Sequence, residues 1–239
     1  MPSTFCALLV ASLGNTGRLQ NTRHSAGHIL LKALAQRLDA PPFSRSKSYG
    51  SGQLTTATLS PSFHSRSHSE DPPVLLHLWS SPTLMNVSGP AVLAAWRAFC
   101  KDNNTGQSDY SHAADSPSAH SSNRALGLIL LHDDLESRLG KLRARQGFTK
   151  STRGHNGLKS VVASFSGAGM VKEDGSWMVR VGIGIGRPSS GGREREEVSD
   201  YVLAKCTPGE VEKIEETAGQ LEVILQRESK RLMKGVLTG

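Results

Sequence analysis

Two short apolar runs constrain this chain more than any other part of it. Phe5–Leu13 (F-C-A-L-L-V-A-S-L) reads as a buried strand, and Leu126–Leu131 (L-G-L-I-L-L) is apolar on both sides of the two-residue strand repeat. A strand of the second kind needs cover on both faces, as in the centre of a parallel or mixed sheet. Val74–Trp79, Leu139–Gln146 and Trp177–Ile185 are further strand candidates. Between them lie helical periodicities. His24, Gly27, Leu31, Leu34 and Leu38 recur at steps of three and four, the spacing of one helix face. Val92, Leu93, Trp96 and Phe99–Cys100 mark a second helix. Leu158, Val161, Val162 and Phe165 mark a third that starts near His155–Asn156, and Val198–Leu203 forms a short element. Thr207-Pro208-Gly209-Glu210 is a capping box with proline at the first helical position. It opens a last helix carrying Val211, Ile214, Ala218, Leu221, Leu225 and Leu232, with Gly235 as its expected stop.

Alternating strands and helices indicate one α/β domain spanning residues 1–239. Two polar, low-complexity inserts interrupt it, at about 40–73 and 101–123. The first is rich in serine, glycine and proline; its Gln53–Leu59 could pair as a strand, and the rest reads as a mobile basic loop. The second is expected to be disordered.

Lys and Arg exceed Asp and Glu by 28 to 21, a net charge of +7 that suits a polyanion such as RNA. Three widely spaced cysteines, Cys6, Cys100 and Cys206, lack any metal-ligand spacing and read as thiols in a reducing compartment. No apolar run approaches the ~20 residues that cross a bilayer. The N-terminal residues do not resemble a signal peptide, so the cytosol is the expected compartment, with an association with mitochondria left open.

Four polar clusters fall just past predicted strands or at helix starts: Asn15 with His24, Met85–Asn86, Asp133, and His155–Asn156. In open α/β sheets the carboxyl ends of the strands line the functional crevice, so these clusters can converge. Amides, a histidine and an aspartate suit the positioning of a carbonyl substrate and the activation of water. A helix N-terminus disfavours imidazolium, which would keep His24 neutral. Read singly, each residue has an ordinary alternative. A histidine in a first helical turn is more often a satisfied polar residue, Asp133–Asp134 fits a strand-ending turn equally well, and Asn86 and Asn156 fit turns. His24 and His28 stand at the spacing of a zinc pair, but with no third ligand in sight no metal site or cofactor is expected. Gly182-Ile183-Gly184-Ile185-Gly186 suggests a strand packed closely on another backbone rather than a nucleotide loop. Lys141, Arg143 and Arg145, and Lys150, Arg153 and Lys159, form basic clusters beside the presumed crevice.

Taken in order, L-G-N-x-G, T-R-H, T-L-M-N-V-S-G, H-D-D-L, G-K-L-R, G-H-N-G-L-K-S, G-I-G-R-P and Y-V-L resemble the bacterial-type peptidyl-tRNA hydrolase family over most of the chain outside the inserts. The serine-rich inserts are similar to those of a fungal member. The resemblance implies a mixed twisted β-sheet flanked by helices on both faces. It also implies hydrolysis of the ester between a peptide and the 3′ ribose of tRNA, without metal, by a monomer that holds the acceptor stem and 3′ end. His24 then matches the catalytic base and Asp133 the acid that orients it. Asn15, Asn86 and Asn156 match substrate- and water-binding amides, and Met85 the apolar wall. Arg23, Lys141, Arg143, Arg145, Lys150, Arg153, Lys159 and Arg180 are the expected tRNA contacts. Thr16, Leu19, Ser25, Leu84 and Gly182 depart from the family pattern, which bears on affinity more than on chemistry. The alternatives are a non-catalytic RNA-binding relative of the same fold and a generic esterase with no need for tRNA.

Overall fold

The computed structural model describes residues 5–60, 72–104, 124–148, 152, 154–171, 177–188 and 194–238. In chain order the elements are β1 (Phe5–Ser12), two 3-10 turns (Gly17–Leu19 and Arg23–Ser25), α1 (Ala26–Arg37), β2 (Ser44–Arg45), β3 (Gln53–Leu59) and β4 (Val74–Ser80). A 3-10 turn (Met85–Val87) leads into α2 (Ser88–Asn104), followed by β5 (Arg124–Asp134), β6 (Leu142–Gln146), α3 (Asn156–Gly167) and β7 (Met178–Gly184). Helices α4 (Arg195–Leu203), α5 (Pro208–Glu215) and α6 (Ala218–Thr238) complete the chain. The strands form one seven-stranded sheet, ordered β2-β3-β4-β1-β5-β7-β6. β1 pairs in parallel with β4 and β5, and β5 with β7. β2 and β3 on one side and β6 on the other join antiparallel, so the sheet is mixed.

The pleat of β1 divides the core. Cys6, Leu8 and Val10 face one hydrophobic cluster, shared with α1, α5 and α6. Ala7, Leu9 and Ala11 face the other, built from α2, α3, Trp79 and Phe148. Helices therefore cover both faces, as the doubly apolar central strands require. Trp96 and Phe99 are fully buried on α2, as their spacing predicts. α1 is buried more widely than the single face read from its periodicity, with Ile29, Leu30, Ala33 and Ala35 also in the core.

Three sequence expectations change. First, the stretch read as an insert is ordered at its start: β3 is the strand offered at Gln53–Leu59, paired with β4 along its whole length, and β2 forms in the part expected to be a loop. The intervening turn is anchored by Tyr49, which is buried; its carbonyl accepts the Trp79 indole N–H at 2.8 Å and its hydroxyl donates to Asp102 at 2.8 Å. Pairing with an edge strand and one buried aromatic outweigh the polar composition. Residues 101–104 likewise belong to α2, whereas 61–71 and 105–123 lie outside the described residues. Second, the last helix is two. The Thr207 capping box opens α5, but the chain breaks at Glu216–Thr217, where the Thr217 hydroxyl donates to the Ile214 carbonyl at 2.6 Å. α5 and α6 bury the same side, so the apolar spacing runs across the break. Third, α6 continues past Gly235 to Thr238. That glycine keeps negative φ, and without the left-handed turn it weakens a helix rather than ending it. The expected close approach at G-I-G-I-G is present: a Cβ on Gly184 would lie 1.9 Å from the Arg138 carbonyl oxygen.

Candidate active site

The site forms where β1, β4 and β5 end. The β1–β5 pairing extends one residue past β1, through Leu13 N–H to the Leu131 carbonyl at 2.8 Å, and the chain then turns away through Asn15. A hydroxyl network shapes this turn. Ser25 Oγ accepts the Asn15 N–H at 3.0 Å, and Thr22 Oγ1 donates to the Leu19 carbonyl at 2.9 Å. The serine that departs from the family pattern thus ties the Asn15 loop to the turn bearing the histidine. Asn15 is buried, and its side-chain oxygen accepts the Met85 N–H at 2.9 Å, bridging the ends of β1 and β4. Met85 is buried in turn against Gly157 at the start of α3.

His24 sits in the 3-10 turn ahead of α1, not in the helix itself. Its Nδ1 lies 2.8 Å from Oδ1 of Asp133, near the end of β5, across a sequence separation of 109. An ionised carboxylate only accepts, so Nδ1 donates and Nε2 keeps a lone pair. Burial disfavours a charged His24, but the charge of Asp133 and its hydrogen bond outweigh burial and raise the imidazole above its ordinary value. The expected neutralising pull of the helix N-terminus is therefore overridden, because a full charge at hydrogen-bond distance exceeds a partial one. Burial pushes the Asp133 carboxyl up, yet His155 and His24 together hold it well below the usual carboxylate range.

His155, to which the sequence assigns no role beyond its cluster with Asn156, joins His24 on the Asp133 carboxylate. Its Nε2 lies 3.0 Å from the same Asp133 Oδ1, and its ring centroid is 5.3 Å from that of His24. As N-cap of α3 its Nδ1 accepts the Leu158 N–H at 3.2 Å. That bond fixes the tautomer, so Nε2 carries the proton and donates to Asp133. The sequence signal was only its place before Asn156 at a helix start. His132 packs edge-on against His155 and is pushed down to about 4, burial being the main cause.

Among the described residues, His24, Asp133 and His155 are a set that could hold a metal ion, with donor atoms within 4.8 Å of one another. The donors fit such a site poorly, because ligation through His155 Nε2 would move its proton to Nδ1 and break the cap of α3. His28 is no partner of His24. It is buried, with Nδ1 2.7 Å from Ser12 Oγ and 3.1 Å from Ser80 Oγ, and burial with nearby Lys32 lowers it to about 4.

The other expected site residues divide. Asn86 and Asn156 are exposed on the segments that carry Met85 and His155. Lys141, Arg143 and Lys159 are exposed, and Arg145 is half-buried. Arg145 also lines a cleft of about 620 Å³ between β6 and α6, with Arg227, Lys230, Arg231 and Lys234 opposite. Those α6 cations were not anticipated, since helical spacing alone does not show which strand they face. Arg180 is buried opposite Arg145, not presented on the basic face. Arg23 is forked onto Glu210, at 2.8 and 3.1 Å. Lys150 and Arg153 lie outside the described residues. No helix among the described residues is long and apolar enough to cross a membrane.

Comparison with known proteins identifies the family and the fold. The family model described as peptidyl-tRNA hydrolase matches residues 116–237. A peptidyl-tRNA hydrolase of Chlamydia pneumoniae is 31% identical over 207 residues, covering 85% of this chain and 87% of that protein. One from Shouchella clausii is 30% identical over 224 residues, covering 92% and 94%. The crystal structure of peptidyl-tRNA hydrolase from Acinetobacter baumannii superposes with a TM-score of 0.58 at 22% identity, covering 99% of this chain and 93% of that one. A complex of peptidyl-tRNA hydrolase with n-propanol gives 0.60 at 22% identity, covering 96% and 92%. With identity of this extent running nearly end to end, the chain belongs to the peptidyl-tRNA hydrolase family.

Proposed function

We propose that this protein hydrolyses the ester between the peptide and the 3′ ribose of peptidyl-tRNA, with His24 as general base and Asp133 as its orienting acid. The observation that carries this reading is the 2.8 Å contact from His24 Nδ1 to the buried Asp133 carboxylate at the mouth of the parallel strands. His24 Nε2 takes a proton from water as the oxygen attacks the ester carbonyl. The tetrahedral intermediate then expels the 3′ oxygen, which recovers that proton from His24. The products are a free 3′ hydroxyl and a peptide carboxylic acid, which releases its remaining proton to solvent and leaves as the carboxylate. No step needs a metal. Asn15 holds Met85 through its oxygen, so its NH₂ group is what it offers the substrate. Asn86 and Asn156 stand on the rim, where amides can orient water and the 3′ end, and donors there stabilise the developing oxyanion. Lys141, Arg143, Arg145 and Lys159 would hold acceptor-stem phosphates, the protein acting as a single-domain monomer. Turnover of peptidyl-tRNA by the purified protein, with small N-acylated esters cleaved far more slowly, is the expected result. Acceptor-stem binding without ester cleavage would make it an RNA-binding relative, and equal turnover of small esters a generic esterase.

The pH profile follows from the site. A base must be neutral, and the Asp133 charge raises His24, so the acid limb of kcat/KM will lie above pH 6.5, the ordinary imidazole value. In Asp133→Asn that charge is gone and burial then dominates, so the limb will move to lower pH as the maximum rate falls. A limb that stays in place in that variant would remove His24 from the base's role.

A further inference from the structure

Arg23 adjoins the proposed base but is bound to a different part of the fold. Its Nε and Nη2 donate to the two carboxylate oxygens of Glu210, at 2.8 and 3.1 Å, and its Nη1 donates to the Tyr201 carbonyl at 3.2 Å. The guanidinium also lies 4.4 Å from the centroid of the Tyr201 ring. The backbone beside it is engaged as well. Thr22 bridges Lys205, Arg23 N–H donates to the Ala204 carbonyl at 3.1 Å, and Cys206 N–H donates to the Asn21 carbonyl at 2.9 Å. Glu210 is itself held, since its Oε2 accepts the Thr207 N–H at 2.7 Å in the capping box of α5. One carboxylate thus closes a helix cap and grips the residue next to His24.

This arrangement answers a mechanical need. A single 3-10 turn has little stability of its own, and a three-residue antiparallel contact is short. A bidentate, charge-assisted fork has a fixed geometry that both lack. From the other side the His24 side chain is bonded to Asp133, with the His155 ring alongside. We propose that the Arg23–Glu210 pair is a positioning latch, by which the α4–α5 corner sets the orientation of His24 toward Asp133. This role rests on His24 being the base, and it replaces the expected tRNA contact at Arg23.

Three variants test it: Arg23→Lys, Glu210→Gln and, as a control for the cap, Thr207→Ala. The readouts are kcat and KM for peptidyl-tRNA, Kd for deacylated tRNA, and the NMR titration of the His24 imidazole. Misplacement of a catalytic group by about an ångström is costly, so Arg23→Lys and Glu210→Gln should lower kcat by about tenfold or more and leave KM and Kd within about twofold. Their His24 midpoint should fall as its bond to Asp133 loosens. Thr207→Ala should lower the melting temperature and leave kcat and the titration unchanged. A phosphate-binding Arg23 predicts the opposite pattern, with tighter tRNA binding in Glu210→Gln, weaker binding in Arg23→Lys and unchanged kcat in both; that pattern overturns the latch. Equal kcat losses in Thr207→Ala and Glu210→Gln overturn it too, since fold stability would then explain both. If the wild-type protein turns over no peptidyl-tRNA, the proposed function fails by itself. The His24 titration then decides the latch, a shifted midpoint in the two latch variants supporting it and an unmoved one overturning it.

Discussion

Alanine in place of His24 will slow peptidyl-tRNA turnover by about 10²–10⁴-fold, the usual cost of losing a general base. The expectation rests on atoms with no alternate duty. Nδ1 is committed to Asp133, which leaves Nε2 as the proton acceptor on that ring, and no other imidazole among the described residues is equally disposed. His155 has both nitrogens engaged, by Asp133 and by the Leu158 N–H. His132 has Nδ1 on the Asp133 carbonyl at 2.7 Å and is buried enough to fall to about 4. His155 cannot replace the lost base without giving up a bond that shapes the site, and burial makes His132 a weak one. Because His24 is a partly exposed turn residue, its truncation should leave the fold intact, so circular dichroism and the melting temperature serve as controls. Wild-type turnover in a well-folded His24→Ala protein would end the mechanism.

The second large effect is expected at Gly27, where no chemistry takes place. A Cβ there would lie 2.6 Å from the Leu13 carbonyl oxygen and 2.8 Å from that of Leu131. These are backbone atoms at the ends of β1 and β5, which cannot rotate aside as a side chain would. Glycine lets the first turn of α1 rest directly on the strand ends, three residues past His24 and two before Asp133. Alanine must lift that turn, and the His24–Asp133 bond is what opens. Gly27→Ala should lower kcat by about 10²-fold, as misplacement by an ångström does. Its effect on stability should be modest: alanine gains about 1 kcal/mol of helix propensity, against about 1–3 kcal/mol of overpacking. Kinetics with peptidyl-tRNA and urea unfolding, measured together, separate the two. An unchanged kcat would mean that α1 is not what sets the distance between base and acid.

Much of the scaffold was legible because burial leaves a local periodic trace. The apolar runs at Phe5–Leu13 and Leu126–Leu131 became the two paired central strands β1 and β5, and the Thr207 capping box formed as its residues indicate. The misses share a cause. The short β2 depends on the edge offered by β3, and the α5–α6 break is hidden where both helices bury one side. In each case the deciding partner lies elsewhere in the chain.

The site divides along the same line. The chemical kinds present, a histidine, an aspartate and amides at strand ends, are properties of the sequence, and their order sufficed to point to the family. Orientation is not such a property. His24 and Asp133 are 109 residues apart, and Arg23 and Glu210 are 187 apart. A local pattern cannot say that a neighbouring arginine turns back onto a helix cap, that Arg180 is buried, or that His155 shares a carboxylate oxygen with His24. Those outcomes follow from which strand ends the packed sheet brings together, because a hydrogen bond depends on distances of tenths of an ångström that only the assembled core sets.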